Sequence, residues 1–255
     1  MPMYIHYKQS GTPNSPALLF AHSLGADLHM WDDVVPFLLP YFKVIQYDIR
    51  DHGQSEGKHE TYTIAVLGKD VISLMDQLEI KEAYFCGLSI GGLIAQYLGI
   101  YHSDRIKKII IANSASKIGN DEKWNSRIEA VSKNGLKALV DETMQRWFSE
   151  NYFHQNPDKI NYIRNSFVNI NAAGYNKCCA AIRDSDFSNI INQIPISALI
   201  ITGNQDPVTT VEDAEYLVRN IKNAELEILA AKHLSATELP QLFATRLIDF
   251  IVGRI

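Results

Sequence analysis

The sequence predicts an α/β fold: a mostly parallel central sheet flanked by helices, with one long helical insertion. Three observations predict it. Short β-rich runs alternate with helical patterns along most of the chain, as in strands linked by crossover helices. Several of these runs are apolar at every position, as in strands covered on both faces. One stretch, from about Lys117 to Asn189, contains no strand pattern at all.

Taken in order, Met3–Tyr7 alternates and predicts an edge strand. Ala17–Ala21 is a continuous apolar run after Pro13-Asn14-Ser15-Pro16, a loop signal. Lys43–Tyr47, Ala83–Cys86, Ile109–Ala112, Ala198–Thr202 and Leu226–Leu229 are the remaining strands. Helices are expected at Trp31–Leu39, Ile64–Leu78, Ile90–Tyr101, Val211–Ile221 and Leu239–Ile251. In Ile64–Leu78 the apolar residues fall at 64, 67, 71, 74, 75 and 78, a helical stripe. The strandless stretch reads as helices at Trp124–Ser132, Leu136–Phe148, Pro157–Val168 and Ala172–Ile182. The expected organisation is therefore a core formed by residues 1–116 and 190–255, with residues 117–189 as a helical cap or lid. Insertions at the carboxyl ends of parallel strands are where such folds bind ligands.

Composition narrows the function classes. A chain of 255 residues buries about 70–75% of its unfolded surface and needs no staples. The 46% hydrophobic and 21% charged fractions exclude a disordered chain. Twenty-four basic against twenty-nine acidic residues give a net charge of −5, which argues against a nucleic-acid partner. An anionic substrate must then find a local positive pocket. Cys86, Cys178 and Cys179 are too few and too scattered for a disulfide framework. They read as thiols in a reducing compartment. Met1 to Ser10 carries no apolar signal core, and no apolar run approaches the ~20 residues of a membrane span. The expectation is a cytoplasmic protein with no membrane partner. No zinc-type spacing is present, and no feature sets an oligomeric state.

The sharpest chemical signal is Gly87-Leu88-Ser89-Ile90-Gly91, followed by Gly92. It lies between an expected strand and an expected helix, the context in which G-x-S-x-G forms a nucleophile elbow. Ser89 then sits on a strained turn near a helix N-terminus, and bulky residues two positions either side would clash. The competing reading is that the glycines only let helix pack closely on sheet.

A serine hydroxyl needs a base, and in this type of site the order is Ser, Asp/Glu, His. Two histidines lie far beyond Ser89 in the sequence. His154 lies in the insertion and reads as an exposed loop residue. His233 lies four residues beyond the last strand and before the final helix, where the base belongs. Its alternative is to cap that helix through Ser235–Glu238. The acid is expected after Ala198–Thr202, where Asp206 is the only carboxylate in Gly203–Val208. Its alternative is a turn aspartate before proline. The loop after the preceding strand reads Asn113-Ser114-Ala115, with no carboxylate. Asp206 would fix the tautomer of His233 and stabilise its imidazolium.

Two backbone donors should face the developing oxyanion. Ile90 N–H is one. Leu24 N–H, in the loop His22-Ser23-Leu24-Gly25, is the other. His22 reads as a support for that loop rather than a base. Asp48–Ser55 reads as a hydrogen-bonded turn beneath the site, with His52 structural.

Together these residues resemble the α/β-hydrolase superfamily. A closer similarity, to the 3-oxoadipate enol-lactonases, appears in several segments. They include Ala26–Asp32, Phe85–Ser89, Ile111–Gly119, Trp124–Ile128, Arg146-Trp147-Phe148, Gly174-Tyr175, Cys178, Arg183–Phe187 and His233-Leu234-Ser235. The similarity runs nearly end to end and includes the expected cap. It implies an α/β-hydrolase fold and a triad of Ser89, Asp206 and His233. It also implies hydrolysis of a small anionic enol-lactone to 3-oxoadipate, in catabolism of aromatic acids. Three residues depart from the pattern: His22 replaces an asparagine, Asp51 replaces a glycine, and Lys232 is an insertion before His233.

The chemistry so implied needs no metal or cofactor. It needs a cation for the substrate carboxylate, and Arg127, beside Trp124, is the first candidate. Its alternative is a solvated helix arginine near Glu129. Trp124 and Trp147 are candidates to line the pocket, against the commoner fate of core packing. The competing functions are a general carboxylesterase, a hydrolase of carbon–carbon bonds in ring-cleavage products, and a ligand-binding protein that keeps the fold without catalysis.

Overall fold

The computed structural model describes residues 4–253. Seven strands form one sheet: β1 Tyr7–Ser10, β2 Ala17–Ala21, β3 Lys43–Tyr47, β4 Ala83–Leu88, β5 Ile106–Ala112, β6 Ser197–Gly203 and β7 Ala224–Leu229. Their order is β1-β3-β2-β4-β5-β6-β7. Every pairing is parallel except β1 with β3. The apolar runs behave as their patterning requires. All five residues of β2 are buried, as are the last four of β3, β4 and β5.

Eleven α-helices lie among the described residues. The first three are α1 Val35–Leu38, α2 Ile64–Gln77 and α3 Ile90–Tyr101. Helices α4 Asp121–Asn134, α5 Val140–Trp147, α6 Glu150–Gln155, α7 Pro157–Val168 and α8 Ala172–Arg183 follow β5. After β6 come α9 Val211–Asn220, α10 Ser235–Glu238 and α11 Pro240–Val252. The α2 stripe buries Ile64, Leu67, Val71, Leu74 and Met75, and Thr63 caps its start through Val66 N–H. Helix α3 runs through the centre, with residues 90–99 all buried. The chain between β5 and β6 is helical, with no strand among its residues.

Three expected elements are placed differently. The edge strand begins at Tyr7 rather than Met3, and Met3 itself lies outside the described residues. The turn at 48–56 takes the earlier backbone groups: Asp48 N–H donates to His6 O and Glu56 N–H to Tyr4 O. The ladder to β3 therefore starts only at Tyr7↔Tyr47. The expected helix Trp31–Leu39 is a 3₁₀ turn, Leu28–Trp31, followed by α1. Pro36 has no N–H to give an ongoing helix, so it sits in the first turn of a new one. Leu136–Phe148 starts as a 3₁₀ turn over Leu136–Leu139 before α5, and α6 follows as an additional helix. The last helix falls where expected, from Pro240 to Val252, with α10 as a separate turn before it. Leu239 has φ −131° and ψ 57°, outside the helical region that a residue before proline avoids.

This architecture places the loops after β2, β4, β6 and β7 at one edge of the sheet. The helical segment between β5 and β6 faces them, and the site lies between.

Candidate active site

Ser89 sits between β4 and α3 with φ 60° and ψ −113°. A non-glycine residue in that region costs of order 1–3 kcal/mol and is held only by its surroundings. Here the glycines are that support. A Cβ on Gly87 would lie 1.9 Å from Gly91 O, and one on Gly91 would lie 2.4 Å from Ala21 O. The turn closes only where neither has a side chain. Ser114 Oγ also donates to Ser89 O at 2.9 Å.

His233 and Asp206 meet from different loops. His233 Nδ1 lies 2.8 Å from Asp206 Oδ2, with both side chains buried. With Nδ1–H donating, Nε2 is left free to accept a proton. The carboxylate also accepts from Asn113 Nδ2 at 2.9 Å, Thr209 Oγ1 at 2.8 Å, Val208 N–H at 2.8 Å and Thr209 N–H at 3.2 Å. Burial alone would raise its pKa. The neighbouring His233 and the convergent donors outweigh burial and hold it down, to about 2. Asp206 is therefore ionised at neutral pH.

Asn113 joins this set without having been a candidate in the sequence. It is fully buried at the end of β5 with φ 42°. Besides Asp206 it bonds Lys232 O at 3.2 Å and accepts from Ser235 Oγ at 2.5 Å. In sequence that loop shows no carboxylate and lies within the resemblance-bearing run Ile111–Gly119, but neither feature points to an amide bridging two other loops.

Leu24 lies in a tight turn where Ala26 N–H bonds Ser23 O. Ile90 is the first residue of α3, so its N–H has no intrahelical partner. Leu24, Ser89 and His233 line one cavity of about 750 Å³. His22 and His52 lie beneath this turn. His22 Nδ1 bonds Ser23 O at 2.8 Å, and its Nε2 accepts from Ile49 N–H at 2.9 Å. His52 Nδ1 bonds Arg50 O, and its Nε2 accepts from Gly25 N–H at 3.2 Å. Both rings are neutral. Burial lowers the pKa of His22, and burial with the nearby His22 takes that of His52 to about 3. Asp48 completes the support by accepting from Leu28 N–H and Gln54 N–H. His154 is exposed on α6 and does not line this cavity.

The helical segment supplies the opposite wall. Trp124, Arg127 and Trp147 all line the cavity. Trp124 Nε1 donates to Ile118 O at 2.7 Å, and Trp147 is buried edge-on against Phe167. Arg127 is not paired with Glu129, which bonds Lys133. Its Nε donates to Tyr175 Oη at 2.7 Å and its Nη2 to Thr143 Oγ1 at 3.1 Å. Both partners are neutral, because burial pushes the Tyr175 hydroxyl well above its ordinary range. Arg146 lines the same wall and was not anticipated. It pairs with Glu142 at 3.0 Å. Burial and the neighbouring Arg127 lower its pKa. Apart from His233, three basic side chains (Lys123, Arg127, Arg146) and two acidic ones (Glu122, Glu142) line the cavity. The wall carries surplus positive charge on a chain of net charge −5.

A profile of the alpha/beta-hydrolase fold matches residues 16–238. The chain belongs to the alpha/beta-hydrolase fold family. Relatives are similar over nearly the whole chain. 3-Oxoadipate enol-lactonase 1 of Acinetobacter baylyi is 42% identical over 92% of this chain and 88% of its own. 3-Oxoadipate enol-lactonase 2 of the same organism is 38% identical over 94% and 90%. The crystal structure of the enol-lactonase from Burkholderia xenovorans LB400 superposes with a TM-score of 0.96 at 36% identity, covering 98% of this chain and 97% of the other.

The departures at Asp51 and Lys232 have structural partners. Asp51 has φ 59° and its carboxylate accepts from the Tyr62 hydroxyl. A Cβ on Gly174 of α8 would lie 1.9 Å from Asp51 Cβ, so helix and turn are in contact. Lys232 reaches α5, with Nζ 2.8 Å from Gln145 O. Among the described residues no helix is long and apolar enough to cross a membrane.

Proposed function

We propose that the protein hydrolyses the ester bond of a small anionic lactone through a covalent acyl-enzyme, with 3-oxoadipate enol-lactone as substrate. The single observation that carries the reading is the shared cavity. It has a strained serine and a carboxylate-paired histidine on one wall and two arginines on the other. The relatives at 38–42% identity carry the substrate assignment. Their likeness extends through the residues that form the arginine wall.

In this mechanism His233 takes the Ser89 proton as the hydroxyl attacks the lactone carbonyl. Asp206 keeps Nδ1 protonated and stabilises the imidazolium without taking the proton. Leu24 N–H and Ile90 N–H hold the oxyanion, each worth about 10²–10³ in turnover. The enolate leaves, still tethered through the opened ring, and is protonated to the ketone. Water activated by His233 then frees the acyl group from Ser89. An enolate leaves more readily than an alkoxide, so acid assistance from His233 suffices. Residues 117–189 act as the cap, and Arg127 with Arg146 receives the substrate carboxylate. Arg127 is prepositioned by Tyr175 and Thr143, and Arg146 has Glu142 as a displaceable partner. The three buried free thiols fit a cytoplasmic protein.

The test is product identification. Incubation with 3-oxoadipate enol-lactone should yield 3-oxoadipate. Turnover of p-nitrophenyl acetate without lactone turnover would instead mark a general carboxylesterase. Failure of an organophosphate to label Ser89 would mark a ligand-binding protein.

A further inference from the structure

The loop that carries His233 is tied to the helical segment by contacts outside the triad. Lys232 and Leu234 flank His233, and both are bonded to the end of α5. Lys232 Nζ donates to Gln145 O at 2.8 Å, and Leu234 N–H donates to Trp147 O at 3.0 Å. The remaining tie is Glu238, the last residue of α10. Its Oε1 accepts from Lys232 N–H at 2.8 Å. Its Oε2 accepts from Ser149 N–H at 3.1 Å and from the Ser149 hydroxyl. Ser149 is the N-cap of α6. One carboxylate thus joins the residue before His233 to the residue two beyond Trp147. His233 and Trp147 both line the cavity.

We propose that Glu238 is a positioning residue. It locks the His233 loop to the cavity wall at the end of α5, so that base and substrate keep one fixed relation. The proposal rests on His233 being the base. The loop from 230 to 234 has no regular structure of its own, so its side-chain placement depends on such ties. Hydrogen bonds to an ionised acceptor are roughly twice as strong as neutral ones, and here three donors share one carboxylate. Misplacing a reacting group by about 1 Å can cost about 100-fold in rate. Lys232 is held twice in this arrangement. Its N–H is held by Glu238 while its ammonium is held by α5.

Glu238→Gln preserves volume but leaves a single acceptor oxygen, which cannot serve Lys232 and Ser149 from opposite sides. Ser149→Ala removes one donor and leaves Glu238 in place. Both variants and their combination are to be assayed on the enol-lactone and on p-nitrophenyl acetate, with circular dichroism checking that each is folded at the assay temperature. For Glu238→Gln the expected result is a kcat lowered roughly ten-fold on both substrates with KM little changed. The organophosphate should label its Ser89 more slowly by a similar factor. Ser149→Ala should lose less, and the double variant should be no worse than Glu238→Gln, because both remove the same tie. A Glu238→Gln kcat within two-fold of wild type, or a loss confined to KM, overturns the proposal. If Glu238→Gln does not fold, an unchanged kcat in Ser149→Ala overturns it. A wild-type protein that the organophosphate does not label would instead sink the reading of Ser89 and His233 on which it rests.

Discussion

Asp206 stays charged in a buried site because five donors converge on its two oxygens, from His233, Asn113, Val208 and Thr209. Removing the charge leaves the donors facing an amide. Asp206→Asn should therefore favour the wrong His233 tautomer and lower kcat by about 10⁴-fold, measured on the lactone with KM as the control. Asn113→Ala removes one charge-assisted bond and the brace on Lys232 O. A loss of roughly ten-fold in kcat is expected, whereas an unchanged kcat would reduce Asn113 to a packing residue. The two positions differed in legibility. Asp206 stood alone as a carboxylate in its loop. Asn113 was marked only by lying in the run Ile111–Gly119, and its role was not legible because it depends on three loops meeting at a residue with φ 42°.

Elements whose patterning and punctuation agree were the most legible. Helix α3 was expected at Ile90–Tyr101 and is found there, because the glycine-rich elbow leaves one place to start. Where proline intervened, at Pro36, the single expected helix became two pieces. The arginine wall was half legible. Arg127 stood beside Trp124 in an expected helix. Arg146 forms an i,i+4 pair with Glu142, which in sequence is indistinguishable from a solvated helix face. Only the packing of α4, α5 and α8 around the cavity turns that face inward. The prediction at this scale concerns charge selection. Arg146→Gln should raise KM for the anionic lactone about ten-fold or more and leave KM for p-nitrophenyl acetate nearly unchanged, since the loss is of a charge-assisted contact. Equal effects on both substrates would mean that Arg146 shapes the cavity without reading its charge.

At the scale of the whole molecule, the buried histidines set the acid limit. His52 is held neutral down to about pH 3, against an ordinary value of 6.5, and His22 is lowered as well. The unfolded chain takes up these protons first, so stability should fall as pH drops below about 6.5. Asp206 adds to the loss at lower pH. Its folded pKa is depressed from 3.8 to about 2, so its contribution is present above about 3.8 and disappears as pH falls toward 2. A thermal midpoint that declines steadily from pH 6.5 to pH 4 is expected. A flat profile over that range would contradict the neutral, acceptor roles of His22 and His52. The same neutral rings hold Ile49 and Gly25 beneath the Leu24 turn, so activity should not outlast stability on the acid side.

The central claim joins fold, nucleophile and substrate, and one comparison reaches all three: kcat/KM for 3-oxoadipate enol-lactone in the wild type and in Ser89→Ala. A value of about 10⁴ M⁻¹s⁻¹ or above in the wild type, falling by about 10⁴-fold or more in the variant, is the predicted result. A wild type that turns over p-nitrophenyl acetate but not the lactone, or a Ser89→Ala variant that retains lactone turnover, would contradict it.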